Sequence, residues 1–493
     1  MNLPHLFTDL AIVILFLAGV AQFRNVRDAR RGNLTAALAL VFSVVFVLYS
    51  NRILDPAYAV IALLTGSALG WLVAGRTSMV QIPAMVAFQH GAGSVAAFLV
   101  AYQELTRGDG SGSAMGTISG YLGLIIGAAT FSGSIVASAK LANRIRQTSV
   151  TLPAHNTVLL RLIVLLGIFC VAAAAAPNQA AVLLVVVILV SSLLGAVFAV
   201  RIGGADVPVL ISFLNATAGL AAAFCGVSIG NRLLAACGAT VAASGSILTH
   251  QMCLAMNRPL ARVFLPLVPT TSVNEKASAE RSLDLPQRYT RPVDPVLAAL
   301  EAAKRAATVM IIPGYGMAQA QAQFETVSLA RRMSEMGKRV TFAIHPIAGR
   351  MPGHMHVLLA EAEADPDLLA DIREANPEFS NTDLAVIVGA CDVVNPAAVT
   401  SVGTLISGMP ILKAHEARQV VVCNLDERPG YSGVDNPLYK APNVILLFGD
   451  ARASIERLLE GLSNESQTAD GSYFGAAVCV AAPPRVDETE KVV

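Results

Sequence analysis

The chain has 493 residues, of which 54% are hydrophobic and only 14% charged, with a net charge of +1 and a mean hydropathy of +0.60. Such a composition is too apolar for an ordinary soluble protein, and a near-neutral chain has no global field that would draw it to nucleic acid. The seven cysteines (170, 225, 237, 253, 391, 423, 479) are scattered without a CxxC pair or a His/Cys cluster at metal-ligand spacing, so neither a disulfide framework nor a metal site is expected.

Charge divides the chain. Residues 1–263 hold long uncharged runs, whereas 274–461 carry the mixed charge of an aqueous domain. A span needs about 20 apolar residues, and on that rule nine fall near 6–23, 34–50, 56–74, 82–102, 115–139, 157–175, 180–200, 207–229 and 233–256. The first reads as a span, not a removed signal, because no basic segment precedes it. Arg24, Arg27, Arg30, Arg31, Arg76, Lys140, Arg144, Arg146, Arg201, Arg258 and Arg262 fall on one side, against Arg52, Arg107 and Arg232 on the other. The first side is then the cytoplasm, with the N-terminus outside and the C-terminal domain inside the cell.

Polar residues at membrane depth are costly unless they face protein or water. His90 in VAFQHGAGSV titrates near neutral pH in its unperturbed state. Asn215 in ISFLNATAG both donates and accepts. Thr217, Ser244 and Ser246 extend a hydrogen-bonded line or simply bond their own helix; His90 equally suits a structural interhelical bond. IGGADVPVL (202–210) puts Asp206 and Pro208 directly before the Asn215 helix, where an acid caps the helix and complements its dipole; a proton-exit or domain-contact role is the sharper reading.

Residues 264–293 read as a linker, after which β and α patterns alternate. A helix at 296–306 is followed by a strand at 308–312, a glycine turn, and a helix at 317–336. Then come a strand at 338–344, helices near 353–363 and 367–375, strands at 383–389, 419–424 and 442–448, and a helix at 450–461. This is a Rossmann-like doubly wound parallel sheet, carried behind an α-helical membrane bundle. The boundaries expected are 1–263 for the bundle, 264–293 for the linker, 294–461 for the sheet domain, and 462–493 for a disordered tail.

VMIIPGYGMAQAQAQF (309–324) has the strand–glycine–helix pattern in which backbone N–H groups at a helix N-terminus hold a dinucleotide pyrophosphate. Gly314-Tyr315-Gly316-Met317-Ala318-Gln319 matches only partly, with Gln at the third small position. The second strand, VTFAIHP, ends without the acid that takes a ribose 2′-hydroxyl in the usual mode. Arg350 is placed for a two-pronged phosphate contact, Asp392 follows a buried strand, and GYSGVDNPLY (430–439) suits a lid.

GYGMAQAQAQ (314–323), HPIAGRMPGHMHVLLAEA (345–362), GACDVVNPAA (389–398), GMPILKA (408–414), GYSGVDNPLY and LFGDARAS (447–454), with IGGADVPVLISFLNATAG (202–219) and SGSILTHQMCLAMNR (244–258), together resemble the proton-translocating nicotinamide nucleotide transhydrogenase, β subunit. The resemblance runs from about 10 to 461. It implies hydride transfer from NADH, held on a partner α subunit, to NADP⁺ held on this chain, coupled to inward proton movement across the cell inner (plasma) membrane. It implies a dimer of αβ units, catalytic roles for His90, Asn215 and Asp392, and NADP(H) across Gly314, Tyr315, Gly316, Met317, Ala318, Arg350, Asp392, Gly430 and Tyr431 in a reversed pose. The family's basic Lys-Arg-Ser grip on the 2′-phosphate falls at Asn424, Leu425 and Asp426, where this chain has a carboxylate. The alternative function, from another class, is a transporter or channel with a nucleotide-sensing cytosolic domain.

Overall fold

The computed structural model describes residues 3–22, 28–50, 56–107, 113–145, 150, 152–203, 206–257, 259–264, 294–351, 353–401, 404 and 406–463. Most of the expected linker and the tail from 464 lie outside the described residues.

Nine helices among the described residues are long and apolar enough to cross a membrane. They are α1 (Leu3–Gln22), α2 (Ala29–Ser50), α3 (Pro56–Arg76), α4 (Ile82–Thr106), α5 (Ala114–Leu141), α6 (His155–Ala175), α7 (Ala180–Arg201), α8 (Val207–Ser228) and α9 (Arg232–Ala255). Each expected span lies on one of them. Small residues set how closely they pack. A Cβ added to Gly219 would stand 2.6 Å from the Ala242 backbone nitrogen, and one on Gly245 would stand 2.8 Å from that of Ala216, so α8 and α9 meet backbone to backbone. The helix α5 packs against α4, α7 and α8, and its buried face carries Thr130, Ser134 and Lys140.

A short α10 (Leu260–Phe264) follows the bundle. The aqueous domain then runs α11 (Pro295–Arg305), β1 (Thr308–Pro313), α12 (Tyr315–Gln319), α13 (Gln323–Glu335), β2 (Arg339–Ile344), α14 (His354–Glu361), β3 (Leu369–Asp371), α15 (Ile372–Ala375), β4 (Leu384–Val388), α16 (Ala397–Thr400), β5 (Gln419–Asn424), β6 (Val444–Phe448) and α17 (Ala451–Ser463). The six strands are in the order β3-β2-β1-β4-β5-β6, and every pairing is parallel. Strand β4 is buried at all five positions, as a central strand covered on both faces should be. Alternate residues of β1 feed two different cores, Val309 and Ile311 on one face, Met310 and Ile312 on the other.

Two expected elements are corrected. The helix read at 317–336 is broken in two, because Gln321 takes a left-handed conformation with φ 53° that a continuous helix cannot contain. The helix read at 367–375 keeps only its last turn, Ile372–Ala375. Residues Leu369–Asp371 instead pair with Phe342–Ile344 and form the sheet edge, a pairing that a three-residue segment shows only once its neighbour is in place. Asp206 sits at the N-cap position of α8, yet its side chain makes no capping bond to the first turn.

Candidate functional site

Strands β1 and β4 are neighbours whose connections leave in opposite directions across the sheet, so a crevice opens past their C-terminal ends, where open α/β sheets bind ligands. The turns after the two strands lock together there. The Gly314 N–H donates to the Val388 carbonyl at 2.8 Å, and the Gly316 N–H to the Gly389 carbonyl at 2.8 Å. A Cβ on Gly316 would lie 2.7 Å from the Gly389 Cα, and Gly389 itself has φ 69°. The glycines are therefore needed for backbone approach and a left-handed turn. Two N–H groups of the motif are thus spent on the end of β4 and the turn after it, and the helix that follows is only five residues long.

The cleft is lined by Gly314, Tyr315, Gly316, Arg350, Asp392, Asn424, Leu425, Asp426, Gly430 and Tyr431, ten of the residues singled out in the sequence. It has an accessible volume of about 400 Å³. Met317 and Ala318 do not join them. Their side chains are fully buried in the core beneath the turn, where they fix its seat against the sheet. His90 and Asn215 are elsewhere, on α4 and α8 of the bundle, and no hydrogen bond among the described residues joins them. The Nδ1 of His90 is buried without a partner. Thr217 bonds the Thr130 hydroxyl of α5 at 2.9 Å, whereas Ser244 and Ser246 bond carbonyls of their own helix.

Arg350 organises the cleft. Its guanidinium lies 4.1 Å from the centroid of the Tyr315 ring and 5.5 Å from that of Tyr431, a stacked arrangement suited to a planar cation. Its Nη2 donates to the Tyr431 hydroxyl at 2.5 Å, and its Nη1 donates to the Leu141 carbonyl at the end of α5 at 2.8 Å. Its Nε is buried without a partner. Burial pushes the Tyr315 phenol up to about 12, against the opposing pull of Arg350. The Arg350 N–H donates to His354 Nδ1 at 3.2 Å, and burial, with the nearby guanidinium, pushes His354 down to about 4.

Across the cleft, Asp392 accepts from the Ser432 hydroxyl at 2.5 Å and from the Ser432 N–H at 3.1 Å. Burial raises its carboxyl above the usual range, and these bonds offset part of the rise. Asn424, at the end of β5, donates to the Ala390 carbonyl at 2.8 Å and to the Tyr439 hydroxyl at 2.7 Å. Its Oδ1 is buried without a partner. Unpaired polar atoms in a cleft are desolvated at a cost unless something in the cleft completes them. The Nε of Arg350 suits an anion and the Oδ1 of Asn424 suits a donor, so the residues present fit a dinucleotide with its charged and hydroxylic parts.

The bundle has its own share of this cleft, of which sequence reasoning singled out only the start of α8. Lys140, Leu141, Val207 and Pro208 line it as well. Lys140 does not act as a simple flanking charge. Its ammonium is buried and donates to the carbonyls of Val200 and Ile202 at 2.6 Å each, closing the C-terminus of α7. Ile347, from the loop after β2, packs against Val209, Met252 and Met256 of the bundle. The sequence held two signals for this: a basic residue at a span end, which has many commoner explanations, and Asp206 with Pro208 at the start of the Asn215 helix, where a domain contact stood beside helix capping as a reading.

A family model described as NAD(P) transhydrogenase beta subunit matches residues 6–461. Two curated proteins of Rhodospirillum rubrum, one from a defined strain, are each described as NAD(P) transhydrogenase subunit beta. Both are 36% identical over 474 residues, covering 94% of this chain and 100% of the relative. With a matched model and relatives spanning nearly the whole chain, membrane bundle and sheet domain together, this protein belongs to the NAD(P) transhydrogenase beta subunit family.

Proposed function

We propose that this chain is the membrane-embedded half of a proton-translocating transhydrogenase. It binds one nicotinamide dinucleotide in the β1–β4 cleft, exchanges hydride with a second held by a partner α subunit, and couples that exchange to proton movement through α4, α5 and α8. The observation that carries the reading is Arg350. One guanidinium bonds Tyr431 inside the dinucleotide cleft and the last carbonyl of a membrane helix, so occupancy of the cleft and the position of α5 share a residue.

The dinucleotide supplies the hydride. Arg350 would hold its phosphates, the interlocked turns at Gly314–Gly316 and Gly389 would form the floor beneath it, and Tyr431 and Gly430 would cover it. Asp392, buried and bonded to Ser432, holds or releases a proton at its carboxylate. In the bundle, His90 takes the proton at an imidazole nitrogen and Asn215 lies along the same route on α8. The coupling is energetically sensible: one charge crossing 100 mV supplies ~2.3 kcal/mol, enough to set the direction of an exchange between nearly equipotential nicotinamides.

The test is hydride exchange in proteoliposomes that contain this chain and an NAD(H)-binding α subunit, with a pH-sensitive dye inside. Exchange accompanied by a proton gradient is expected. Ion flux on nucleotide addition with no hydride exchange, in folded protein, would replace this reading by a nucleotide-gated transporter.

A further inference from the structure

The β5 side of the cleft is built from acceptors. Asn424 is 7% exposed. Both of its Nδ2 bonds are made within the protein, to Ala390 and Tyr439, and its backbone carbonyl accepts from the Gly449 N–H at 3.0 Å. This leaves its Oδ1 as a buried acceptor with nothing to accept from. Two residues on, Asp426 is fixed by its own loop: its Oδ1 accepts from the Arg428 N–H at 2.9 Å, and its Oδ2 meets the Arg428 Nε at 3.2 Å. A carboxylate has about four acceptor sites, so lone pairs remain on both oxygens. Leu425 between them is exposed.

The basic groups do not offset this wall. Lys140, Arg350 and Arg428 line the cleft among the described residues. Lys140 is committed to α7; Arg350 bonds Tyr431 and Leu141 and keeps its Nε, which the functional reading gives to the pyrophosphate; Arg428 is exposed and lies against Asp426. A phosphate ester at this wall, with its charge of about −1.5 to −2, would meet a carboxylate and an amide oxygen. A vicinal diol would give each of them a donor.

Taking the cleft as the nicotinamide dinucleotide site proposed above, we infer that Asn424 and Asp426 form a specificity wall for a ribose with free hydroxyls. The chain therefore selects the dinucleotide without a 2′-phosphate. The physical basis is asymmetric. Unpaired acceptors reject a ligand that brings no donor more strongly than paired ones reward a good fit, and a like charge at hydrogen-bond distance excludes the phosphorylated form.

The experiment is binding of NADH and NADPH to the full chain in detergent, read by the fluorescence of the reduced nicotinamide. The wild type, Asp426→Asn and Arg428→Ala are compared. The wild type should bind NADH at least about tenfold more tightly than NADPH. Asp426→Asn should shrink that ratio by about tenfold, since the Asp426 side chain is partly exposed and its charge is partly screened. Arg428→Ala should widen it, because the Asp426 charge loses its partner. Tighter binding of NADPH by the wild type would overturn the inference, as would a selective loss of NADPH in Arg428→Ala; either would leave the functional reading standing. Binding of neither dinucleotide to the folded chain would remove both.

Discussion

The interlocked turns give the sharpest prediction, which is Gly316→Ala. Carbon atoms in contact sit at about 3.5–4.0 Å, and a Cβ on Gly316 would stand 2.7 Å from Gly389 Cα and 3.2 Å from its carbonyl oxygen. Both neighbours are backbone, so no side chain swings away, and the β1 and β4 turns must part by several tenths of an ångström. Overpacking of this kind costs about 1–3 kcal/mol, and stretching the 2.8 Å bond from the Gly316 N–H to the Gly389 carbonyl costs about 1 kcal/mol more. If about 1.4 kcal/mol of that total appears as misplacement of Tyr315, dinucleotide affinity falls about tenfold. Gly337→Ala is the control. Gly337 has φ 76° with nothing within 4 Å of an added Cβ, in the turn that closes α13, so it costs only the left-handed strain of about 1–2 kcal/mol. The assay pairs NADH fluorescence titration with thermal unfolding followed by circular dichroism. Gly337→Ala should lower the unfolding midpoint and leave affinity unchanged, while Gly316→Ala should lower both. Wild-type affinity in folded Gly316→Ala would refute the claim that this backbone contact builds the site, and so would equal loss of affinity in the two variants.

Two further outcomes are expected. His90→Ala should abolish proton pumping in proteoliposomes and slow hydride exchange while dinucleotide affinity stays at the wild-type level; unchanged pumping would return His90 to a packing role. Acid should destabilise the sheet domain through His345 and His354, which burial pushes down to about 4 each. A depressed histidine pKa means that the unfolded chain takes up protons first, so stability is complete above about 6.5 and declines as pH falls through about 4. His345 is held by the Pro410 carbonyl at 2.8 Å and the Ile347 N–H at 3.2 Å. The double variant His345→Gln, His354→Gln should show a shallower loss of dinucleotide binding between pH 6 and 4, and an unaltered slope would exclude these two groups.

Local chemistry made much of the architecture legible before any coordinates. Nine long apolar runs, each with few charges, have one cheap solution in a bilayer, because only a helix satisfies its own backbone there. The βα alternation from 294 fixed a parallel sheet for a similar reason: short buried runs separated by amphipathic helices have few ways to bury both faces. Ten of the twelve residues named for a cofactor line one cleft, since they fall at strand ends or in the loops that follow, where the topology of such a sheet brings them together. The misreadings were of segments whose state depends on a neighbour. β3 is a strand through its pairing with β2, and the 317–336 helix breaks where Gln321 turns left-handed.

What the sequence determined by itself was therefore the class of each long segment and the family, both written in periodicity and in extended runs of motif. Tertiary structure alone decided how the glycine motif is used. It spends the N–H groups of Gly314 and Gly316 on the end of β4 and the turn after it, a fact invisible in a pattern that records residue types and not their partners. It also decided that Arg350 and Lys140 meet carbonyls at the ends of membrane helices, contacts across hundreds and tens of residues that no local propensity encodes. The wall at Asn424 and Asp426 falls between the two. The residues are plain in the sequence, but only the fold shows that one acceptor is buried without a partner while the nearest guanidinium is exposed and lies against the other.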